Sequence, residues 1–312
     1  MDKITLTKSL AAVASVLLLA TACQRTNDTR PVTQDAFRGL YSPAATVVRI
    51  RHDLHEEGVE ARNDSLTYYD NWIWNTYHRR LDIVEFDREQ NYLTEPTQDF
   101  YYYNSNGRLD SICHRVGGVS KRTFHFTYSD GLLSQINFLF GEENRNYTTD
   151  FLYHNGQQYP YAIVFTHPLQ NWMIDNYGTD TLVQRWTLEW SNGNLIRATA
   201  DSMAWYCTGL SKIEYAYDNH PNPFQGYFNS SLISRDGIVD DPSCFCKNNL
   251  VRRTYYHYNS RDNTTSTSQS RWDYQYVRPP YPSSVTTTYH TLYWTDVTVK
   301  SYFYYGDPWA VE

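Results

Sequence analysis

Short runs in which apolar and polar residues alternate cover most of the chain. Phe124, Phe126 and Tyr128 alternate with polar residues, and this two-residue period is typical of a β-strand with one buried face. A second run of the same kind follows at Ile136 and Phe138. The pattern therefore predicts two strands of similar length, separated by a few polar residues.

The residues between these two runs indicate how the strands are joined. Asp130-Gly131 is a dipeptide that tolerates positive φ at both positions, as the central residues of a type I′ hairpin turn require. Leu133 is out of phase with Ile136 by one residue, which predicts a bulge just after the turn. The two strands should therefore form an antiparallel hairpin.

The hairpin pattern recurs along the chain. Each copy has two aromatic residues separated by one residue, a short polar turn ending in Asn-Gly or Asp-Gly, then Leu and a later Ile. The second aromatic residues of the first copies, spaced by 25, 25 and 37 residues, are Tyr103, Tyr128, Tyr153 and Trp190. Three further copies lack the glycine, and their second aromatic residues are Tyr217, Tyr258 and Tyr304. The repeat is therefore one supersecondary unit whose connecting loops lengthen toward the C-terminus. It predicts an all-β fold: a twisted antiparallel meander of repeated hairpins, either open or closed into a barrel.

Breaks in the pattern fall where a meander allows them. Pro279, Pro280 and Pro282 cannot lie in a central strand, so residues 278–284 are predicted to be a loop. The Ser-, Thr-, Asn- and Gln-rich residues 263–270 are predicted to be a hairpin end or a loop. Since no shift in composition marks a boundary, residues 41–312 are interpreted as a single Tyr-rich β-repeat domain.

The N-terminus has the pattern of an export signal. Two lysines precede a short apolar run and small residues, which is typical of a secretory signal peptide and too short for a membrane span. The sequence Leu19-Ala20-Thr21-Ala22-Cys23 resembles a bacterial lipobox, in which the cysteine after the cut is acylated. Residues 1–22 are therefore predicted to be a lipoprotein signal peptide, and residues 23–40 the lipidated Cys23 with a flexible tether.

The anchor predicts a location in the cell envelope. Gln24 is not the aspartate that retains lipoproteins in the inner membrane of enteric bacteria, so the outer membrane is favoured, on its periplasmic or its surface side. The alternation also resembles an outer-membrane barrel. Charges such as Arg79 and Arg252 interrupt candidate strands, however, and a spanning barrel has no need of a lipid anchor, which favours a tethered soluble domain.

The repeat motif resembles known families. Tyr-x-Tyr, a polar turn with glycine and Leu-x-x-Ile are similar to the YD-type repeats of large secreted bacterial proteins. The whole plan, over about residues 45–305, resembles tyrosine-rich lipoproteins of Gram-negative gut anaerobes, a domain of unknown function described as porin-like in fold. The turn from Tyr217 to Phe224 is also typical of that group. The resemblance implies an architecture and assigns no catalytic residue.

Composition and charge narrow the function classes. The chain has 29 Tyr among its 312 residues, and tyrosine favours strands over helices. A formal net charge of −7 argues against nucleic acid as a partner, because nucleic-acid recognition needs a basic surface. The membrane is therefore the expected partner, through the lipid, together with a glycan or protein ligand.

Few residue patterns in the sequence point to catalytic or metal-binding chemistry. The cluster from His52 to Glu57 is the densest set of metal-ligand types, but no second cluster has a defining spacing, so a solvated turn is favoured. The sequence contains no nucleophile elbow, phosphate-binding loop or dinucleotide fingerprint. We therefore expect no cofactor and a protein that is not an enzyme.

Cysteines and hydroxyl residues give two further predictions. The disulfide candidates in an oxidising envelope are Cys113, Cys207, Cys244 and Cys246, with Cys207 favoured to pair with Cys244 or Cys246. Asp-Ser/Thr-aliphatic triplets resemble the O-glycosylation sites of some gut anaerobes at Ser65, Ser111, Thr181 and Ser202. A bulky sugar needs an exposed residue.

Consecutive aromatic residues suggest a binding surface. Tyr101, Tyr102 and Tyr103 place rings on both faces of one strand, and Trp72 and Trp74 place two indoles on the same face of another. Rigid aromatic rings with polar tips are common in interfaces and suit stacking on sugars. The favoured function is a non-catalytic binding module for glycan or protein, with a structural envelope lipoprotein as the alternative and an enzyme of unrecognised chemistry behind both.

Overall fold

The computed structural model describes the greater part of the predicted repeat domain. The described residues are 47–58, 66–75, 80–87, 97–140, 146–168, 181–201, 210–228, 237–259, 264–276, 281–290 and 294–304. They all belong to the second of two compact units, Met1–Thr33 and Gln34–Glu312. The predicted signal peptide, Cys23 and the tether lie outside them, as do Ser65, Ser202 and Cys207.

The described residues form sixteen strands and two short helical turns. The strands are β1 (Val47–Gly58), β2 (Leu66–Asn75), β3 (Arg80–Asp87), β4 (Thr97–Tyr103), β5 (Leu109–Val116), β6 (Val119–Ser129), β7 (Leu132–Phe140), β8 (Asn146–Leu152), β9 (Ala162–Pro168), β10 (Thr181–Ser191), β11 (Asn194–Ala200), β12 (Leu210–Pro221), β13 (Asn248–Asn259), β14 (Thr264–Gln275), β15 (Ser284–His290) and β16 (Trp294–Tyr304). The turns are α1 (Gly237–Asp240) and a 3₁₀ helix (Pro242–Phe245). No helix among the described residues is long and apolar enough to cross a bilayer.

Each strand pairs antiparallel with its sequence neighbours, and the sheet closes on itself. Closure is made by β1 and β16, where Ile50 lies opposite Tyr302 and Leu54 opposite Thr298. The prediction of an all-β meander is therefore confirmed, and of the two forms it allowed the structure has the closed barrel. Closure pairs the strand edges that an open sheet would expose.

The turn chemistry expected between β6 and β7 is present. Asp130 and Gly131 have φ angles of 51° and 83°, and the equivalent pair Asn192-Gly193 has φ angles of 50° and 81°. Beyond the turn, Tyr128 lies opposite Leu133, and the register shifts between Thr127 and Tyr128. Both the tight turn and the bulge after it are therefore confirmed.

The two faces of the barrel wall differ in chemistry. Tyr101, Ile112, Phe124 and Phe138 lie side by side on β4 to β7 and face the interior, each at most 5% exposed. Exposed polar residues occupy much of the outer face, with scattered large apolar side chains such as Val183, which is 55% exposed. The core therefore lies inside the barrel.

A ladder of side-chain hydrogen bonds explains the aromatic repeat. The second aromatic residue of a copy donates to a backbone carbonyl oxygen of the preceding hairpin, over 2.7–2.9 Å. The donor and acceptor residues of this tyrosine ladder are Tyr103 and Leu81, Tyr128 and Leu109, Tyr153 and Leu133, Trp190 and Pro160, Tyr217 and Leu195, and Tyr304 and Pro282. The repeat uses tyrosine in place of phenylalanine because the hydroxyl makes this bond.

In the C-terminal half one alternative is decided and one expectation is wrong. Of the two forms expected for the polar tract at residues 263–270, the structure has the hairpin end, since β14 begins at Thr264 and pairs with both β13 and β15. The supposed repeat copy ending at Tyr258 lies at the opposite barrel end from the ladder, near the β13–β14 connection. At the end of β14, Tyr274 and the following Tyr276 are the aromatic pair at the ladder end instead.

The long connection between β12 and β13 folds into the barrel. Its described parts, residues 222–228 and 237–247, are called the plug below. Phe228, Val239 and Phe245 of the plug are at most 3% exposed, and Phe228 packs edge-on against Phe126 of β6 at 5.2 Å between ring centroids. The plug therefore completes the core that the barrel wall begins.

Polar side chains of the wall hold the plug in place. The hydroxyl of Tyr101 donates to the carbonyl oxygen of Phe228 over 2.9 Å, and the hydroxyl of Tyr215 donates to that of Val239. Arg253 lies 3.1 Å from the carboxylate of Asp240 and is 9% exposed. Buried plug carbonyls thus find donors on the barrel wall, as buried polar groups require.

Candidate functional site

A cavity of about 200 Å³ lies between the plug and one side of the barrel wall. Its wall comes from β1 to β3 and β13 to β16, and the plug closes it on the other side. Strands from both ends of the chain meet there because β1 pairs with β16. Its volume is below the 300–1,000 Å³ common for drug-sized ligands, so it fits a small ligand or one end of a larger one.

Aromatic rings form much of the cavity lining. They belong to Trp72, Phe86, Phe224, Tyr227, Trp272, Tyr274 and Tyr302. Trp72 packs on Tyr227 with ring centroids 4.2 Å apart and on Phe224 at 5.7 Å. These contacts connect β2 directly to the plug and hold the rings in fixed orientations.

Charged and polar groups share the same lining. Asp70, Asp241 and Lys300 are the ionisable residues with carboxylate or ammonium groups, beside Asn222 and Ser243 of the plug. The carboxylate of Asp241 accepts a hydrogen bond from the backbone N–H of Ser243 over 3.1 Å, which caps the 3₁₀ helix and fixes this carboxylate at the cavity. The cavity therefore offers both acceptors and a cation to a ligand.

The cavity tyrosines are neutral hydrogen-bonding groups. Burial raises the pKa of Tyr274 and Tyr302 well above its ordinary value, and neighbouring tyrosines and Asp241 add to the effect. Both phenols therefore keep their protons at neutral pH and are able to donate. Flat faces, neutral donors and carboxylate acceptors together match the chemistry of a sugar ring.

Of the predicted binding aromatics, Trp72 lines this cavity. It is 7% exposed and lies on the inner face of β2, so it is part of the core as well as of the cavity wall. Trp74 pairs with Leu81 in the register, but its side chain lies outside the described residues.

The three consecutive tyrosines do not form one exposed patch. Tyr101 is 5% exposed and binds the plug, Tyr102 is 45% exposed on the outer face, and Tyr103 belongs to the tyrosine ladder. Their rings lie on both faces of the strand, as expected from the sequence, but in three separate environments and not in a shared exposed patch. Successive strand residues point to opposite faces, and the inner face is covered by the plug.

The disulfide favoured from the sequence is not formed in the structure. Cys113, Cys244 and Cys246 are free thiols, and Cys207 lies outside the described residues. Cys246 points into the core, where its sulfur lies 3.5 Å from the backbone nitrogen of Leu195 and 3.2 Å from the hydroxyl of Tyr217. Burial in the plug thus separates the thiols of Cys244 and Cys246 from solvent.

Ser111 does not meet the exposure that O-glycosylation needs. It is 8% exposed, and its hydroxyl lies 3.5 Å from the Asp110 carboxylate. Thr181, at the start of β10, is exposed, and its glycosylation stays a prediction.

The His52–Glu57 segment is part of a strand and not the turn that was expected. It lies in β1, where it pairs with β16, while its side chains are outside the described residues. Among the described residues, no three His, Cys, Asp or Glu side chains lie close enough together to hold a metal ion.

Sequence reasoning missed most of the cavity residues. Asp241 and Phe224 belong to the plug, and Lys300 and Trp272 come from C-terminal strands without a motif. A signal exists for the plug residues alone: the long interval in the chain after Tyr217 makes room for a folded insertion.

The fold and the cavity together define a plugged sixteen-stranded antiparallel barrel with an interior cavity. No family model matches the sequence. No curated protein matches it either. Among solved structures, the chain is similar to a porin-like protein from Bacteroides uniformis ATCC 8492, with a TM-score of 0.51 and 11% identity over 83% of this chain and 97% of the other.

A second solved structure is also similar to the chain, at a lower TM-score. It is a porin-like protein from Bacteroides vulgatus ATCC 8482, with a TM-score of 0.46 and 11% identity over 83% of this chain and 98% of the other. At such identity the likeness to the first structure supports the barrel fold and assigns no function.

Proposed function

We propose that the protein is a lipid-anchored envelope protein whose barrel stays in water and binds a sugar ring in the interior cavity. The observation that carries the proposal is the lining of the cavity, in which aromatic faces stand beside carboxylates and neutral phenols. The alternative is a structural envelope lipoprotein whose cavity takes no small ligand.

The outer face supports a barrel that is not inserted into lipid. Arg197 lies 3.0 Å from Glu189 and 3.4 Å from Glu214, and Lys212 lies 3.1 Å from Glu214, all on outward positions of β10 to β12. A membrane barrel presents an apolar band about 25 Å tall, and a basic residue near its middle costs about 2–4 kcal/mol. The outer face of these strands instead suits water.

The lipobox supplies the link to the membrane in this proposal. The Cys23→Ala variant of the full-length chain tests it, with fractionation and metabolic labelling by a palmitate analogue. We expect the wild-type chain to be labelled and to sediment with membranes, and the variant to be unlabelled and soluble. A variant that stays in the membrane through an alkaline carbonate wash would contradict the proposal, because its strands would then be inserted.

Ligand binding is tested on the full-length protein purified in mild detergent. A glycan array finds the probe, and titration of that probe with detection of tryptophan fluorescence gives the affinity, since Trp72 and Trp272 both line the cavity. We expect a saturable change in fluorescence.

A matched pair of lysine variants shows whether the ligand binds in the cavity or on the outer face. Lys300→Met removes the ammonium group from the cavity with little change in side-chain length, whereas Lys212→Met removes one from the outer face. Weaker binding in Lys300→Met alone supports the cavity as the site. Absence of binding across the array, or equal loss in both variants, favours the structural alternative.

A further inference from the structure

A second depression lies on the outer face of the barrel, separate from the plug. It is a groove of about 610 Å³ bordered by β12, β13 and β14 at the end where the tyrosine ladder lies. Arg252 and Arg271 line it, directly opposite each other on neighbouring strands, and both side chains are exposed. We call this surface the arginine groove.

The arginine pair is unusual for its position in a sheet. Directly opposite residues on antiparallel strands have Cβ atoms about 4.5–5.5 Å apart, and like charges at such positions destabilise the sheet. Among the described residues, no carboxylate lies within ion-pair distance of either guanidinium. Arg271 donates to the neutral amide oxygen of Gln269 over 2.9 Å instead.

Two other outward arginines of the same barrel have acidic partners. Arg185 lies 3.0 Å from Asp201, and Arg197 lies 3.0 Å from Glu189. The carboxylates of Asp218 and Asp273 line the same groove, so the two adjacent guanidiniums form a local concentration of positive charge within a lining whose formal charge is balanced. Because the repulsion brings no stability, an anionic ligand between the two groups explains the arrangement.

An aromatic border adds a second contact for such a ligand. The rings of His220 and Tyr276 stack at 4.1 Å between centroids at the edge of the groove. Asp218 fixes this border, since it accepts hydrogen bonds from the backbone N–H of His220 and from the hydroxyl of Tyr276. The carboxylate of Asp273, which also lines the groove, would repel a ligand that carries negative charge along its whole length.

Distance along the strand sets the size of the ligand. Arg271 and Tyr276 are five residues apart in the chain, about 16 Å of extended backbone. We propose that the arginine groove binds an acidic oligosaccharide, with one carboxylate or sulfate ester held between Arg252 and Arg271 and another ring on the His220–Tyr276 border. Guanidinium groups suit this role because they bind planar oxyanions through paired hydrogen bonds.

The test compares three probes on the full-length protein in mild detergent, by isothermal titration calorimetry. The probes are trigalacturonic acid, a chondroitin sulfate tetrasaccharide and neutral cellotriose. We expect at least one acidic probe to bind, with an affinity that falls as salt is raised, and cellotriose not to bind. Comparison of the two acidic probes shows which group the groove needs, because trigalacturonic acid carries only carboxylates and the chondroitin sulfate tetrasaccharide also carries sulfate esters.

Variants place the binding in the groove. The double variant Arg252→Gln with Arg271→Gln should weaken the acidic probe at least about tenfold and leave the melting temperature unchanged or higher, because it removes a repulsion. The matched double variant Arg185→Gln with Arg197→Gln should bind as the wild type does. Acidic probes that bind no better than cellotriose, or equal affinities in the two double variants, would overturn the proposal.

Discussion

The hydroxyl of Tyr128 donates a hydrogen bond of 2.9 Å to the backbone carbonyl oxygen of Leu109, nineteen residues earlier in the chain. Leu109 begins the return strand of one hairpin, and Tyr128 lies near the end of the next outgoing strand. This relationship is repeated along the barrel by the tyrosine ladder. It links each hairpin to the one before it and so adds side-chain bonds to the strand pairing.

Loss of one ladder hydroxyl should therefore lower stability without changing the fold. Tyr128→Phe removes the donor and leaves the Leu109 carbonyl without this bond, at an expected cost of about 1 kcal/mol in the free energy of unfolding. Chemical denaturation followed by circular dichroism measures the difference. Tyr102→Phe, at an exposed outward position, is the matched control and should stay within about 0.5 kcal/mol of wild type. Equal effects of the two changes would contradict the role of the ladder.

Local patterns in the sequence were sufficient to predict the hairpins. Alternation at Phe124 and Phe126 and the Asp130-Gly131 dipeptide depend on the two-residue strand period and on the φ angles of a tight turn, both of which are local properties. Closure was left open because the pairing of β1 with β16 joins residues about 250 positions apart and has no local signal.

The cavity could not be predicted for the same physical reason. Trp72 was identified as a binding residue, but its partners Tyr227 and Phe224 belong to the plug, whose burial depends on packing inside the closed barrel. The Thr- and Ser-rich start of β14 was left open between a hairpin end and a loop because its strand is stabilised by two neighbours and not by an apolar alternation.

Truncation of a plug core residue should destabilise the whole barrel. Phe228 is 1% exposed and packs against Phe126 and Phe245, so Phe228→Ala should lose about 3–5 kcal/mol of unfolding free energy. Denaturant titration gives the value, and Val183→Ala on the outer face is the control, expected within about 0.5 kcal/mol. A loss below about 1 kcal/mol in Phe228→Ala would mean that the plug is not packed in the barrel in solution.

Alkaline pH should unfold the protein through its buried tyrosines. Burial raises the pKa of Tyr215, Tyr217, Tyr227, Tyr274 and Tyr302 well above 10. Their unfolded forms ionise near pH 10 while the folded forms stay neutral, so stability is full below pH 10 and is lost progressively as the pH rises above it.

Absorbance at 295 nm against pH measures this ionisation. We expect exposed tyrosines to titrate near pH 10 in the native protein and a further group to ionise only together with the loss of the circular dichroism signal. In guanidinium chloride all tyrosines should titrate near pH 10. A single titration near pH 10 in the native protein, with the fold intact, would contradict the burial of these phenols.

The thiols of the plug should be unreactive while the barrel is folded. Burial raises the pKa of Cys246 to about 12, and Cys244 is raised for the same reason, so at pH 8 almost no reactive thiolate is present at either residue. Both residues are fully buried, which also excludes the reagent.

Iodoacetamide at pH 8 should therefore leave the peptide with Cys244 and Cys246 unmodified in the native protein and modify it fully in guanidinium chloride. Peptide mass mapping without reductant gives the result, with Cys113 of the barrel wall, which is 9% exposed, as the internal comparison. Rapid native alkylation of Cys246 would show that the plug opens, and a bond from Cys207 to either plug cysteine would restore the pairing favoured from the sequence and require the plug to be packed differently.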